Sequence, residues 1–160
     1  MLCTGSSPAI PPIPGVDLEN VVDSSGILIR ETLPNHLVVV GGGVIGCEFA
    51  CMYASVGVPV TVLEAMPEIC PNLDTEISAS LREGLAKKGV SFILEAKVES
   101  IRADRVSYVD DSGTNELEAD LVLVATGRRP NTENLGLEEL GLDIDDRGGV
   151  RVDSRGATNI

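Results

Sequence analysis

The sequence predicts an α/β fold in three layers: a parallel sheet with helices on one face and an antiparallel three-stranded meander on the other. Three observations predict it. Runs such as Leu37-Val38-Val39-Val40 and Leu121-Val122-Leu123-Val124-Ala125 are wholly apolar, as strands are when both faces of a parallel sheet are covered. Segments of helical periodicity alternate with the first of these runs. Between Ala96 and Ala119 that rhythm stops, and strand-like pieces are separated by turn residues such as Asp110-Asp111-Ser112-Gly113, the pattern of a meander.

Along the chain, residues 1–16 carry Pro8, Pro11, Pro12 and Pro14 among small residues and read as an extended connector. A short helix is expected over Asp23–Ile29, and Pro34 punctuates before the first strand. Val44 to Val56 has helical spacing, with Ile45, Phe49, Met52 and Val56 as its apolar stripe and Gly57 as its stop. A second strand, Pro59–Leu63, ends at Glu64. A loop with Pro67 and Pro71 leads to a helix from Thr75 to Lys88, with Asp74 as N-cap and Ile77, Leu81 and Leu85 as its apolar stripe. Lys87 and Lys88 suit the negative end of that helix, and Gly89 ends it. Val90–Leu94 is a third strand. The meander is expected over 96–103, 105–109 and 115–119, and the acidic, Gly-rich tail has a short strand at Val150–Val152.

At 160 residues the chain is long enough for one domain with its own core. Trp is absent and the only rings are Phe49, Phe92, Tyr53 and Tyr108, so aliphatic residues must build that core. A formal charge of −13 excludes nucleic acid as a partner and disfavours an anionic membrane surface. No apolar run approaches the roughly 18 residues of a spanning helix. Cysteines 3, 47, 51 and 70 form neither a CxxC pair nor a disulfide framework. They read as small buried residues in a reducing cytoplasm, and no metal-ligand set is expected.

The segment that carries chemistry is Gly41-Gly42-Gly43-Val44-Ile45-Gly46, which fits G-x-G-x-x-G between a strand and a helix. A second strand ending in an acid completes the Rossmann-like unit. Gly41 allows the tight turn. Gly43 lets the backbone approach a pyrophosphate at the positive helix end, and Gly46 lets the helix pack closely on the sheet. Glu64 lies eighteen residues beyond Gly46, near the usual spacing of roughly twenty. Its carboxylate suits ribose hydroxyls and opposes a 2′-phosphate, and Ala65, Met66 and Pro67 supply no arginine to rescue one. The reading is NAD(H) over NADP(H). Glu48 by itself complements the helix dipole, and His36, the only histidine, has no assigned role.

These residues resemble one family, the pyridine nucleotide–disulfide oxidoreductases, over essentially the whole chain. The run LVVVGGGVIGCEFA from Leu37 to Ala50 is similar to their second dinucleotide fingerprint. Ala125-Thr126-Gly127-Arg128-Arg129-Pro130-Asn131 resembles the ATGxxPN motif after their meander, and Cys3-Thr4-Gly5-Ser6-Ser7-Pro8 the tail of an earlier ATGxxP motif. The resemblance implies a flavoprotein that moves electrons between a dithiol/disulfide substrate, a redox-active cysteine pair, FAD and NAD(H). It further implies the dihydrolipoamide dehydrogenase type, which oxidises dihydrolipoamide to lipoamide as NAD is reduced. By position, it puts Glu48 and Gly127 near the nicotinamide and Val98 beside the adenine, and it counts Ala125, the first residue of the ATGxxPN motif, among the cofactor-binding residues.

The departures from the family pattern set further expectations. The chain opens inside the earlier ATG motif, so residues 1–33 read as a connector from a missing FAD domain and 34–160 as the NAD(H)-binding domain. The FAD fingerprint, the C-x₄-C redox pair and the dimerisation domain with its His-Glu base are expected elsewhere in a homodimeric parent. The chain itself is expected to bind NAD(H), without FAD, catalytic residues or turnover. NADH oxidases, transhydrogenases and mercuric reductase relatives share these motifs and stand as alternatives. So does a non-catalytic NAD-sensing module.

Overall fold

A computed structural model describes residues 1–160. In chain order the elements are β1 (Ser6–Pro8), β2 (Val21–Val22), β3 (Leu37–Val40), α1 (Val44–Ser55), β4 (Val60–Leu63) and α2 (Thr75–Ala86). They continue with β5 (Val90–Ile93), β6 (Lys97–Ile101), β7 (Arg105–Asp110), β8 (Gly113–Glu118), β9 (Leu121–Val124) and β10 (Arg128–Pro130). The chain divides into two compact units, one of residues 10–127 and one of residues 1–9 with 128–160.

The larger unit holds a five-stranded parallel sheet in the order β2-β9-β3-β4-β5 and the antiparallel sheet β6-β7-β8. Every residue of β3, β4 and β9 is buried, and alternate side chains enter two different cores. Leu37, Val39, Val60, Val62, Leu121 and Leu123 pack with Cys47, Ala50 and Tyr53 of α1 and Leu85 of α2. Val38, Val40, Leu63 and Val122 pack with Ile101, Val106 and Tyr108 of the meander and with Ala119. These two cores on opposite faces of one sheet are the three layers that the apolar runs predict.

The helices use different faces from those expected. In α1 the buried residues are Gly46, Cys47, Ala50 and Tyr53, while Met52 and Val56 of the expected stripe are 45% and 58% exposed. The reason is steric. A Cβ on Gly46 would lie 2.0 Å from the Gly41 carbonyl oxygen, so the helix approaches β3 closely through Gly46, Cys47 and Ala50, with Tyr53 buried beyond them and Met52 and Val56 turned outward. In α2, Leu85 and Ser78 are buried but Ile77 and Leu81 are exposed. Asp74 caps α2 as expected by accepting from the Glu76 N–H at 3.0 Å. The helix ends at Ala86, however, so Lys87 and Lys88 lie beyond its last turn.

Other departures concern short elements. Only Ile27–Ile29 of the expected helix over 23–29 is helical, as a single 3-10 turn. The segment before it supplies a strand, β2, that extends the parallel sheet beside β9. His36, which carries no assigned role, lies against β4, its Nε2 2.9 Å from Thr61 Oγ1. In the smaller unit, β1 pairs antiparallel with β10, and Asn131 bonds to Ser7 Oγ and the Thr4 carbonyl at 2.8 and 3.0 Å. The strand expected at 150–152 is a single bridge between Ile144 and Val150.

Candidate functional site

The glycine loop joins β3 to α1, and its shape follows from two close approaches. Gly41 has φ +107°, and a Cβ there would lie 2.6 Å from the Ala125 carbonyl oxygen, so only glycine serves at this point. Gly46 seals the other end of the loop against Gly41, as described above. At Gly43, the N-cap of α1, an added Cβ would meet nothing within 4 Å. No side chain caps this helix, which leaves its positive end facing open space. That is a cradle for an anionic group, and the residues present fit a dinucleotide pyrophosphate there.

Glu64 closes the site from the end of β4. It is 8% exposed, yet both carboxylate oxygens are partnered: Oε2 accepts from the Gly42 N–H at 2.6 Å and Oε1 from the Met66 N–H at 2.7 Å. A carboxylate offers about four acceptor positions. Two are therefore occupied by backbone donors that fix its direction, and two are left for hydroxyl donors of a ligand. The Glu64 backbone is also held, with its N–H donating to Ile93 and its carbonyl accepting from Ala96.

A groove of about 650 Å³ opens beside this carboxylate. Of the sequence-predicted residues it is lined by Gly41, Glu64 and Val98. Val98 stands where β6 shifts register against β7, between Val98 and Ser100, and such a bulge re-aims side chains. Gly43, Val44, Ile45 and Gly46 follow at the loop and first helical turn, with Val44 exposed and Gly46 buried. Ala125 is tied to β3 by its N–H to the Val40 carbonyl at 2.8 Å. Gly127, at φ +142°, is exposed, as is Glu48 on α1. Neither lines the groove.

Sequence reasoning missed one wall. Pro11, Pro12 and Ile13 line the groove opposite Glu64's loop, although they read as connector. They are anchored just beyond it, where the Ile101 N–H donates to the Pro14 carbonyl at 2.8 Å. A Cβ on Gly15 would lie 2.0 Å from the Ile101 carbonyl oxygen, so the segment lies flush on β6. No local signal distinguishes this proline run from a solvated linker. Lys97 and Glu99, which flank Val98, are also lining residues that the motifs do not single out.

The loop after Glu64 is braced from α2. Arg82 forms a two-pronged pair with Glu68, Nε to Oε1 at 2.8 Å and Nη2 to Oε2 at 3.0 Å. The Arg82 bond holds the Glu68 carboxyl below its ordinary range. Cys70 returns the loop to the glycines, its N–H donating to the Gly42 carbonyl at 2.9 Å.

The family model described as pyridine nucleotide-disulphide oxidoreductase matches residues 1–160. Dihydrolipoyl dehydrogenase 3 of Pseudomonas putida is 46% identical over 92% of this chain and 33% of its own length. A dihydrolipoyl dehydrogenase of Staphylococcus aureus is 39% identical over all of this chain and 35% of its own. Among solved structures, the HOCl-induced flavoprotein disulfide reductase RclA of Escherichia coli superposes with a TM-score of 0.83 at 39% identity, covering 98% of this chain and 36% of that one. A NAD-dependent persulfide reductase of A. fulgidus superposes with a TM-score of 0.80 at 34% identity, covering 98% of this chain and 30% of that one. The chain thus spans about a third of the length of the curated relatives it matches. With the fingerprint loop, the acid at β4 and the meander all in place, the chain belongs to the pyridine nucleotide–disulphide oxidoreductase family.

Proposed function

We propose that this chain holds NAD(H) in the groove between the glycine loop and β6. The observation that carries the reading is Glu64, a buried carboxylate fixed by two backbone donors at the groove's edge with acceptor capacity to spare. Ribose hydroxyls donate to those remaining positions. A 2′-phosphate brings negative charge against them, and like-charge juxtaposition costs several kcal/mol. The open N-terminus of α1 receives the pyrophosphate, and Val98 with Ile13 offers apolar surface to the adenine. Bound NAD(H) supplies a hydride acceptor or donor.

The whole protein, on this reading, is an FAD-dependent oxidoreductase acting on a sulfur group, of the dihydrolipoamide dehydrogenase type. Two relatives that carry that name support it, at 46% and 39% identity. FAD, the redox-active cysteine pair and the subunit contacts of a homodimer belong to other parts of such an enzyme. The contribution of the residues described here is to bind and orient the nicotinamide cofactor, with Glu48 and Gly127 assigned to its nicotinamide half by their place in the family motifs alone.

Calorimetric titration with NADH and then NADPH tests the cofactor reading. NADH binding in the micromolar-to-millimolar range, with NADPH at least about tenfold weaker, is the expected result. Equal affinity for the two, or none for either in a folded protein, overturns it.

A further inference from the structure

Beneath the glycine loop two cysteines meet at one atom. Cys47 projects from the first turns of α1 and Cys70 from the loop between β4 and α2, and both sulfurs point at the Gly42 carbonyl oxygen, at 3.4 and 3.6 Å. The two sulfurs thus share one acceptor, which brings them together beneath the loop. Both are free thiols, 4% and 3% exposed. Cys70 holds a φ of 47°, in the left-handed region that non-glycine residues rarely adopt. With the Cys70 N–H, three donors converge on a carbonyl that has two lone pairs.

The contact is tight as well as polar. A Cβ on Gly42 would lie 2.9 Å from Ile69 Cγ2 and 3.2 Å from the Glu64 side chain. There is no slack between residues 69–70 and the middle of the glycine loop, so a movement of Cys70 moves the Gly42 peptide. That peptide's N–H is the donor that fixes Glu64.

We propose that Cys47 and Cys70 form a redox-responsive dithiol whose closure to a disulfide withdraws both sulfurs from the Gly42 carbonyl and weakens nucleotide binding at the loop. The effect on binding rests on the NAD(H) reading above. With hydrogen peroxide as oxidant, two S–H bonds are lost and one S–S bond forms. The peroxide O–O bond breaks, and two waters leave with the two protons and two electrons of the thiols. Burial, and then the neighbouring Cys70 thiol, push the Cys47 thiol up to about 12. Cys47 therefore rests as a protonated thiol of low reactivity, and closure answers a sustained oxidant rather than a trace of one. Cys51, on α1 one turn beyond Cys47, makes no hydrogen bond to Gly42 and is the internal control.

The test treats the protein with hydrogen peroxide, blocks remaining thiols with N-ethylmaleimide in denaturant, and digests after glutamate. Cleavage at Glu48, Glu64, Glu68 and Glu76 puts Cys47, Cys51 and Cys70 on separate peptides. The expected result is a linked pair of peptides, Thr32–Glu48 with Ile69–Glu76, and an NADH dissociation constant raised about tenfold (about 1.4 kcal/mol) that returns on reduction with dithiothreitol. In Cys47→Ala and in Cys70→Ala, the ratio of NADH affinities before and after peroxide stays near one, while Cys51→Ser still forms the link. Peroxide that leaves Cys47 and Cys70 unlinked, or a link that leaves NADH affinity unchanged, overturns the inference alone. Failure of the reduced, folded protein to bind NADH overturns it together with the cofactor reading.

Discussion

The Gly42 N–H donates to Glu64 Oε2 at 2.6 Å, joining the glycine loop to the acid at the end of β4 across 22 residues of sequence. The carboxylate is thereby aimed before any ligand arrives, and a preorganised acceptor spends less binding energy on ordering.

Glu64→Ala therefore has two consequences. It leaves the buried Gly42 N–H without its acceptor, at a cost of about 1–3 kcal/mol in an unrelaxed structure, while the Met66 N–H, on an exposed residue, turns to water. It also removes the acceptor proposed for the ribose. Lower stability in a urea titration and a smaller NADH:NADPH preference in calorimetry are expected together. A variant that keeps the preference would assign cofactor choice to other residues.

Gly46→Ala probes the helix approach. Its Cβ would sit 2.0 Å from the Gly41 carbonyl oxygen, a backbone atom that cannot swing aside. Overpacking costs about 1–3 kcal/mol or more, so a clear drop in urea midpoint is expected. Gly84→Ala, in α2, is the control: its added Cβ meets nothing within 4 Å, and helix propensity makes it neutral to slightly stabilising.

The two helices make a contrasting pair of predictions. Leu85, 4% exposed in the helix-side core, is expected to lose about 2–5 kcal/mol on replacement by Ala. Ile77, one helical face away at 58% exposed, is expected to tolerate Ser within about 0.5 kcal/mol. Equal losses at both positions by equilibrium unfolding would contradict the orientation of α2.

Asp120 gives the acid limb of stability a specific contributor. Burial pushes its carboxyl up, but bonds from the Asn35 N–H, the His36 N–H and the Asn35 side chain outweigh it, and the net position is below the ordinary 3.8. A folded pKa depressed in this way contributes stability above the unfolded value and loses it as pH falls through the folded one. Asp120→Asn should be less stable than the parent at neutral pH, with the gap closing below about 3.8. Urea midpoints measured down the acid range check this, and a gap constant with pH argues against it.

How much was legible in the sequence depends on the range of the interaction. Apolar runs marked β3 and β9, because a strand covered on both faces has no polar residues to interrupt it; β4 and β5, which hold Thr61 and Ser91, were legible as short strand-like runs after the helices. The glycine fingerprint and Glu64 were legible because a tight turn, an open helix end and a strand-terminal acid are each local demands. The stripes of α1 and α2 were misread. Periodicity identifies a helix but does not say which face meets the sheet when small residues, such as Gly46 and Ala50, compete with large ones.

The sequence by itself determined the α/β class, the meander, the loop at 41–46 and the acid at 64, since each is written in consecutive residues. Only the tertiary structure decided that Pro11, Pro12 and Ile13 wall the groove, that β2 joins the parallel sheet beside β9, and that Cys47 and Cys70 converge on Gly42. The physical reason is common to all three. These contacts join segments tens of residues apart, and their geometry is set by how closely layers can approach, which no local pattern of residues encodes.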